Sequence, residues 1–388
     1  MRFLALPLAF LATPLIAQDC GGPLPAFIEG VKAQAIAEGV PPSAADSFFA
    51  GARIDPEVIA ADRRQGVFQL DFVTFSRRLI SQNRIDNGNA MSQRYDATFD
   101  RIESDYGIPR GVLLAFWAFE TDYGQVQGDY NTRDALLTLA HDCRRPELFR
   151  PQLVAGIKLH ARGDFDVNVT EGAWAGEIGQ LQKLPKEILE QGVDGDGDGT
   201  VDLRNSAPDA LMTGAQVLSS LGWQPNQPWL LEIDVPSDFN WSLTGLDTEL
   251  TIADWTDLGV TPRGGSLPAR DQTASVLLPV GRTGPAFLAY PNYRVYFDWN
   301  QSFVYVTTAA YFATRLEGAP VFDAGNFSDG LSGEDVTRLQ ERLQARGYDV
   351  GGADGIIGAM TRDAVQAEQE RLGLPADAWP TRELLNAL

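Results

Sequence analysis

The chain has 388 residues, and 52 acidic against 31 basic residues give it a formal net charge of −21. This length allows two or more domains with substantial cores. Because the protein is so acidic, it is not expected to bind nucleic acid or anionic lipid through bulk electrostatics. Hydrogen bonding and stacking are therefore the expected means of ligand recognition.

The first 17 residues have the pattern of a secretory signal peptide. Arg2 precedes an apolar run that is too short to span a bilayer, and the small residue Ala17 precedes Gln18. No later run is long and apolar enough to suggest a transmembrane segment. The sequence therefore predicts an exported protein of the periplasm.

The two cysteines, Cys20 and Cys143, are predicted to form a disulfide in such an oxidising compartment. The alternative is a metal cluster with His141 and His160, although the spacing fits no zinc pattern. Because these are the only two histidines and no G-x-S-x-G motif is present, Ser-His-Asp and Cys-His nucleophiles are disfavoured. Carboxylate chemistry is what remains.

Helical patterns dominate the first half of the chain. Residues 25–91 favour helices, except that the segment from Phe72 to Ile80 could be extended. Apolar spacing, with Pro and Gly at the ends, predicts further helices over residues 92–105, 110–123, 132–140, 147–162 and 208–221.

The helix predicted from Arg110 to Tyr123 carries a carboxylate, Glu120, after an almost entirely apolar run. A carboxyl group that is partly desolvated against aromatic rings has a raised pKa and can donate a proton near neutral pH. Glu120 is therefore the candidate general acid. The plain alternative is a helical glutamate that simply reaches solvent.

Residues 172–185 form a predicted tight loop that enters a helix near Leu184. Gln amides carry both donors and acceptors, which suits sugar hydroxyls and N-acetyl groups, but an ordinary surface loop is the alternative. The polar side chains of the loop are Glu177, Gln180, Gln182 and Lys183.

An acidic loop of the EF-hand type follows. Its positions one, three, five, six and seven are occupied by Asp194, Asp196, Asp198, Gly199 and Thr200. Position twelve is Asn205 instead of glutamate, so Asp209 is the candidate for the missing ligand. The pattern predicts a structural Ca²⁺ site, with a solvated turn as the alternative, and no organic cofactor is predicted.

The composition changes after Trp223. A β-containing insertion is predicted at about residues 225–291, because this segment is rich in Pro, Gly, Trp and Thr and contains strand-like pieces. A helical pattern resumes over residues 292–318. Residues 319–329 have the composition of a linker. Residues 330–388 read as a compact helical domain.

The tail resembles the peptidoglycan-binding type 1 domain. The resemblance rests on L-Q-E-R-L-Q-A-R-G-Y at residues 339–348 and D-G-I-I-G at 354–358, with Thr361 and the Gly373-Leu374 pair. It departs from that pattern at Glu368-Gln369, where the family usually has Phe-Gln.

Four motifs before the tail occur in the order seen in the membrane-bound lytic transglycosylase B family. These motifs are E-T-D-Y-G-Q-V-Q-G from Glu120, W-A-G-E-I-G-Q-L-Q-K-L-P from Trp174, the D-G-D-G-D-G loop, and N-Y-R-V-Y-F-D-W-N-Q-S-F-V-Y from Asn292. The resemblance implies a mainly α, α+β protein. A lysozyme-like helical catalytic domain over residues 18–318, carrying the small β insertion, would precede a helical-bundle domain over 330–388.

The resemblance also implies a lytic murein transglycosylase in which Glu120 is the acid and then the base. The product would be a 1,6-anhydro-N-acetylmuramic acid end. The residues that match the substrate-binding segments, or lie in them, are Tyr123, Glu177, Gln180, Gln182, Trp299, Asn300, Ser302 and Tyr305. Trp299 stands where the family usually has Tyr, and Glu177 where a neutral residue is expected.

Peptidoglycan glycan strands are the expected partner of a monomeric protein, and other cell-wall enzymes are candidate partners. Two alternatives stay open. A hydrolytic muramidase needs a second carboxylate, for which Asp122, Asp134, Glu177 and Asp298 are candidates. A non-catalytic cell-wall binder would use both domains only to hold peptidoglycan.

Overall fold

The computed structural model describes residues 20–64, 70–327 and 330–388, so the predicted signal peptide lies outside the described residues. Within the described ranges, six helices precede the helix that carries Glu120: α1 (Leu24–Ala37), α2 (Pro42–Phe49), α3 (Pro56–Arg63), α4 (Phe72–Leu79), α5 (Gln82–Arg94) and α6 (Asp96–Tyr106). Across the described ranges, no helix is long and apolar enough to cross a membrane.

The prediction that residues 72–80 could be extended is wrong, because this segment forms α4. The Asp71 carboxylate caps the helix by accepting a hydrogen bond of 2.9 Å from the Thr74 N–H. Phe72, Val73 and Phe75 are buried on its inner face. The β-branched and aromatic composition suggested a strand, and a polar cap together with burial on one helical face decided otherwise.

The middle of the chain continues with α7 (Arg110–Thr121), α8 (Thr132–His141), α9 (Pro146–Arg162), α10 (Pro185–Gln191) and α11 (Ala207–Ser220). Strands β1 (Tyr130–Asn131) and β2 (Glu171–Gly172) form a small antiparallel pair beside α8. α7 is buried in the largest hydrophobic core, which it shares with residues of α11 and the later helices. α8 and α9 are part of a second core with α1 and α2.

A five-stranded antiparallel sheet follows, in the order β4-β6-β7-β3-β5. Its strands are β3 (Leu230–Asp234), β4 (Leu250–Thr251), β5 (Thr261–Pro262), β6 (Thr273–Leu277) and β7 (Ala286–Ala289), with the short helix α12 (Ile252–Asp257) between β4 and β5. β7 leads into α13 (Pro291–Trp299) and then α14 (Phe303–Leu316), and α14 packs along α7. The tail contains α15 (Gly333–Ala345), α16 (Ala359–Arg371) and α17 (Arg382–Ala387). The mainly helical fold with a small sheet confirms the predicted fold class.

The disulfide between Cys20 and Cys143 is present, which confirms the predicted pairing and excludes the metal-cluster alternative. It ties the start of the described chain to the end of α8. The histidines have other partners: a ring nitrogen of His141 lies 3.0 Å from the Gly22 carbonyl oxygen, and one of His160 lies 2.9 Å from the Ser47 hydroxyl.

The tail packs on the preceding part of the chain through a buried arginine of α16. The Arg362 guanidinium, in a residue only 7% exposed, donates hydrogen bonds to the carbonyl oxygens of Leu278 and Pro279. It also lies 4.2 Å from the ring centroid of Phe303, the first residue of α14. Burial lowers the pKa of Arg362 to about 10. This contact links the tail to the helix that packs on α7.

Replacing Arg362 by methionine is expected to lower the free energy of unfolding by about 2 kcal/mol, because two buried carbonyl groups lose their donor. Arg77→Met, at an exposed position of α4, is the matched control and is expected to change stability by less than about 0.5 kcal/mol. Chemical denaturation of both variants measures the difference. Equal stability of the two variants would contradict the structural role of Arg362.

Candidate active site

Glu120 lies in the last turn of α7, a helix that is buried on nearly all sides. The chain leaves the helix through Asp122 and Tyr123, both in the left-handed region with φ values of 51° and 60°. Gly124 follows with φ of 84°, and a Cβ atom there would come within 2.7 Å of the Gln180 side-chain oxygen. This sharp turn brings the loop at residues 172–185 beside Glu120.

Two side chains donate hydrogen bonds to the same oxygen of Glu120. The Tyr305 hydroxyl lies 2.5 Å from Oε1, and the Trp299 indole nitrogen lies 3.2 Å from it. Both residues are predicted from the sequence as substrate contacts, and in the structure both contact the carboxyl group of Glu120. The indole N–H supplies a donor at a position where the related motif usually has a tyrosine hydroxyl.

The turn between α13 and α14 places these two donors. Trp299 is the last residue of α13, and its ring stacks on Phe116 of α7 with 4.3 Å between centroids. The Asn300 side-chain oxygen accepts a 2.9 Å hydrogen bond from the Ser302 N–H. Ser302 then caps α14 by accepting from the Tyr305 N–H at 3.4 Å. Asn300 and Ser302, predicted as substrate contacts, therefore shape the turn that presents Tyr305.

Lys183 also lies in this site, although it is absent from the residues predicted to bind substrate. It is 4% exposed, and its ammonium nitrogen is 3.1 Å from the centroid of the Trp299 ring. Its second contact is Glu187 Oε1 at 3.5 Å. The sequence signal for this residue is weak, because a single lysine in a polar loop is ordinarily solvated.

Several electrostatic effects act in opposite directions on the pKa of Glu120. Burial raises the pKa of Glu120, while the hydrogen bond from Tyr305, the charge of Lys183 and the hydrogen bond from Trp299 lower it, and burial dominates. Burial likewise raises the pKa of Tyr305 far above its usual value, and the neighbouring Glu120 adds to that rise. Burial lowers the pKa of Lys183, with Glu187 and Glu120 acting in the opposite direction. Glu120 is thus biased toward its protonated form.

The predicted glutamine contacts are both engaged with backbone. Gln180 is 7% exposed, and its amide donates to the Arg204 carbonyl at 3.3 Å. The Gln182 amide donates to the carbonyl oxygens of Gly179 at 2.9 Å and Gln127 at 3.2 Å. These bonds hold the loop in its tight conformation.

Tyr123, another predicted substrate contact, is as enclosed as Gln180. It is 7% exposed, and its hydroxyl donates a 2.7 Å hydrogen bond to the Arg84 carbonyl oxygen. Its ring makes an edge contact with Trp117. The hydroxyl therefore has a partner inside the protein, and the side chain supports the turn after Glu120.

Glu177 is a second carboxyl group that interacts electrostatically with Glu120. Burial raises its pKa, and the negative charge of Glu120 adds to the rise. Its Oε2 atom is buried without a hydrogen-bond partner in the described part of the protein. The other candidate second carboxylates differ: Asp122 pairs with Arg84, Asp134 pairs with Arg133, and Asp298 is exposed.

The acidic loop brings together three of its predicted ligands. Carboxylate oxygens of Asp194, Asp196 and Asp209 lie within 4.8 Å of one another, so Asp209 stands beside two of the predicted loop ligands. Asp198 stays outside this cluster and accepts hydrogen bonds from the N–H and hydroxyl of Thr200. Burial raises the pKa of Asp209, and repulsion from Asp196 adds to the rise. Such a set of hard oxygen donors fits a divalent cation such as Ca²⁺.

Two family models match the chain. Residues 24–314 match the transglycosylase SLT domain, and residues 332–388 match the putative peptidoglycan binding domain. The curated membrane-bound lytic murein transglycosylase B of Escherichia coli K12 is 25% identical over 233 residues, which are 60% of this chain and 63% of that protein. The chain thus spans less than two thirds of the length of this curated relative.

Solved structures extend the comparison to nearly the whole chain. SltB3 from Pseudomonas aeruginosa, in complex with NAG-anhNAM-pentapeptide, is 35% identical with a TM-score of 0.86, covering 95% of this chain and 99% of that one. The Escherichia coli lytic transglycosylase Slt35 in complex with calcium shares the fold, at 21% identity and a TM-score of 0.64, covering 79% of this chain and 98% of that one.

These matches confirm the resemblance that the four motifs and the tail predict. The SLT model spans residues 24–314 and so includes Glu120, its two donors and the acidic loop. The chain therefore belongs to the transglycosylase SLT domain family and carries a C-terminal peptidoglycan-binding domain.

Proposed function

We propose that this protein is a lytic murein transglycosylase. It cleaves the β-1,4 bond between N-acetylmuramic acid and N-acetylglucosamine and leaves a 1,6-anhydro end. The observation that carries the proposal is a partly buried glutamate with a raised pKa, Glu120, whose Oε1 atom accepts hydrogen bonds from Tyr305 and Trp299. The SltB3 complexes with NAG-anhNAM-pentapeptide and NAG-NAM-pentapeptide support this class of substrate.

In the first step Glu120 acts as an acid. Oε1 already accepts two hydrogen bonds, so the proton of the neutral carboxyl group belongs on Oε2. Oε2 donates this proton to the glycosidic oxygen, which leaves with the electron pair of the broken C1–O bond. The muramic acid C1 becomes an oxocarbenium-like centre, and Glu120 becomes a carboxylate.

In the second step the same carboxylate acts as a base. It takes the proton from the C6 hydroxyl of the same sugar while O6 bonds to C1, so the anhydro ring closes and Glu120 is protonated again. No water is consumed. An internal hydroxyl outcompetes solvent because a well-oriented intramolecular reaction is worth about 7 kcal/mol or more.

Tyr305 and Trp299 balance the two steps. Burial favours the acid that the first step needs, and the two donors stabilise the carboxylate that the second step needs. Because both donors reach Oε1, Oε2 stays available for proton transfer.

Hydrolysis is the competing reaction, and one observation favours it. Glu177 has a buried oxygen without a partner and interacts electrostatically with Glu120, so it is the candidate to hold a water molecule. We place it second because burial and the Glu120 charge both favour the neutral form of Glu177, which is a poor base.

The other parts of the chain support action on the cell wall. The tail domain adds a second contact with glycan strands and so raises the local substrate concentration. The signal-like residues 1–17 direct the protein to the periplasm. The protein acts as a monomer on peptidoglycan.

Ca²⁺ would be held by Asp194, Asp196 and Asp209, where it would neutralise three mutually repelling carboxylates and join the acidic loop to α11. The calcium complex of Slt35, which shares the fold, supports this ion. Its contribution is to stability, and the chemistry at Glu120 does not involve it.

Mass spectrometry of sugars released from purified peptidoglycan tests the reaction. We expect products one water lighter than hydrolysis products, because the C6 hydroxyl takes the place of water. Glu120→Gln keeps an acceptor for both donors but has no acidic proton, so it should release nothing while retaining a folded structure. Reducing-end sugars from the wild type would favour the hydrolase, and no release would favour a binding protein.

Replacing Tyr305 by phenylalanine is expected to lower kcat/KM by about 100-fold, because the carboxylate loses its shortest charge-assisted donor. Steady-state release of anhydro products measures the effect. Tyr311→Phe is the control on the same helix, since that hydroxyl contacts Arg315 and the Phe322 N–H instead, and its activity should stay near wild type. A Tyr305→Phe enzyme within about threefold of wild type would overturn the assigned role.

Added Ca²⁺ is expected to stabilise the protein by about 2.7 kcal/mol at one hundred times its Kd, and a chelator should reverse the gain. Asp194→Asn should abolish the response. Asp198→Asn, which alters a carboxylate outside the cluster, should largely retain it. A melting temperature that ignores both Ca²⁺ and chelator would argue against the site.

A further inference from the structure

We propose that Lys183 is a positioning residue for Glu120, fixing Trp299 against the carboxyl group and setting the pH range of activity with its positive charge. The inference rests on the proposed function and deepens it. It assigns a role to a residue that the motif comparison leaves unused, and it is carried by the contacts of the Lys183 side chain.

The backbone fixes where the Lys183 side chain begins. Ile178 and Lys183 form an antiparallel pair, with N–H to carbonyl distances of 3.0 Å and 2.9 Å in the two directions. Gln182, immediately before, lies in the left-handed region with φ of 50°. This small closed loop leaves Lys183 little freedom to turn toward solvent.

The environment of the Lys183 ammonium group is unusual for a lysine. A buried cation is costly unless other groups compensate it. Glu187 is its only ion-pair partner among the described residues, and that side chain is 38% exposed. The other contact is the Trp299 ring at 3.1 Å, close enough for a strong cation–π interaction in a desolvated place.

Trp299 lies between Lys183 and Glu120 and contacts both side chains. Its indole N–H donates to Oε1 of Glu120 at 3.2 Å, and its ring also stacks on Phe116. The ring is thus held by Phe116 and by Lys183. Without the ammonium group one of the two supports is lost, and a misplaced donor costs rate because catalysis depends on orientation.

Lys183 also acts on Glu120 through its charge. The titratable groups around Glu120 are Tyr305 from α14, Glu187 from α10, and Glu177 and Lys183 from the loop. Arg84 and Asp122 form an ion pair at the end of α7, so their opposite charges offset each other. Lys183 is therefore the cation that favours the Glu120 carboxylate, while Glu187 disfavours it.

The sign of the effect follows from the first reaction step. Free enzyme must carry a protonated Glu120, so kcat/KM falls on the alkaline side as Glu120 loses its proton. Removing the positive charge of Lys183 raises the pKa of Glu120 and moves this alkaline limb to higher pH. Removing the negative charge of Glu187 lowers that pKa and moves the limb to lower pH.

The test is the pH profile of kcat/KM for anhydro-product release from soluble glycan chains by the full-length protein. Lys183→Met should lower kcat/KM about tenfold at the optimum and move the alkaline limb upward by about half a pH unit or more. Lys183→Arg keeps the charge and should leave the limb near its wild-type position. Glu187→Gln should move the limb downward.

A Lys183→Met profile that is lower by one constant factor at every pH would overturn the electrostatic role, and unchanged activity would overturn the positioning role. If Lys183→Met does not fold, the Glu187→Gln profile decides, because an unmoved limb contradicts the proposal. Failure of the proposed function is distinguishable from these results, since the wild type itself would then release no anhydro product.

Discussion

The site depends on two opposing effects on the protonation of one carboxyl group, that of Glu120. Glu120 is partly buried, which favours its neutral form, and Tyr305 and Trp299 both donate hydrogen bonds to Oε1, which favours its charged form. A group that is an acid in one step and a base in the next needs both influences. A fully exposed glutamate would be ionised at neutral pH, and a buried one without donors would give up its proton less readily in the first step.

The fold meets this requirement by packing two distant helices together. α7 carries Glu120, and α14, which packs along it, carries Tyr305 in its first turn. The cap at Ser302 fixes where that helix begins, so the hydroxyl reaches the carboxyl group. The tail is linked to the same helix, because Arg362 packs on Phe303 at its start. In sequence, the strands of the five-stranded sheet lie between α7, which carries Glu120, and the helices α13 and α14, which carry Trp299 and Tyr305.

Much of this arrangement could be predicted from the sequence, and the remainder depends on long-range packing. The apolar run before Glu120 predicted the helix and the raised pKa, and two cysteines in a chain that is predicted to be exported indicated the disulfide. The hydrogen bonds to Glu120 join residues 179 and 185 positions apart, so no local pattern reports them. The contact of Lys183 with Trp299 also joins residues that are far apart in the sequence. Asp198 fits the loop motif in sequence but binds Thr200 in space.

Burial is expected to keep Glu120 protonated at pH values where an ordinary glutamate is ionised. Infrared difference spectroscopy of wild type against Glu120→Gln during a pH titration tests it most directly, because a protonated carboxyl group has its own C=O stretching band. We expect a band assigned to Glu120 that persists above the usual glutamate pKa of about 4.3, because burial raises the pKa of this carboxyl group. Loss of that band at the usual pKa would contradict the account.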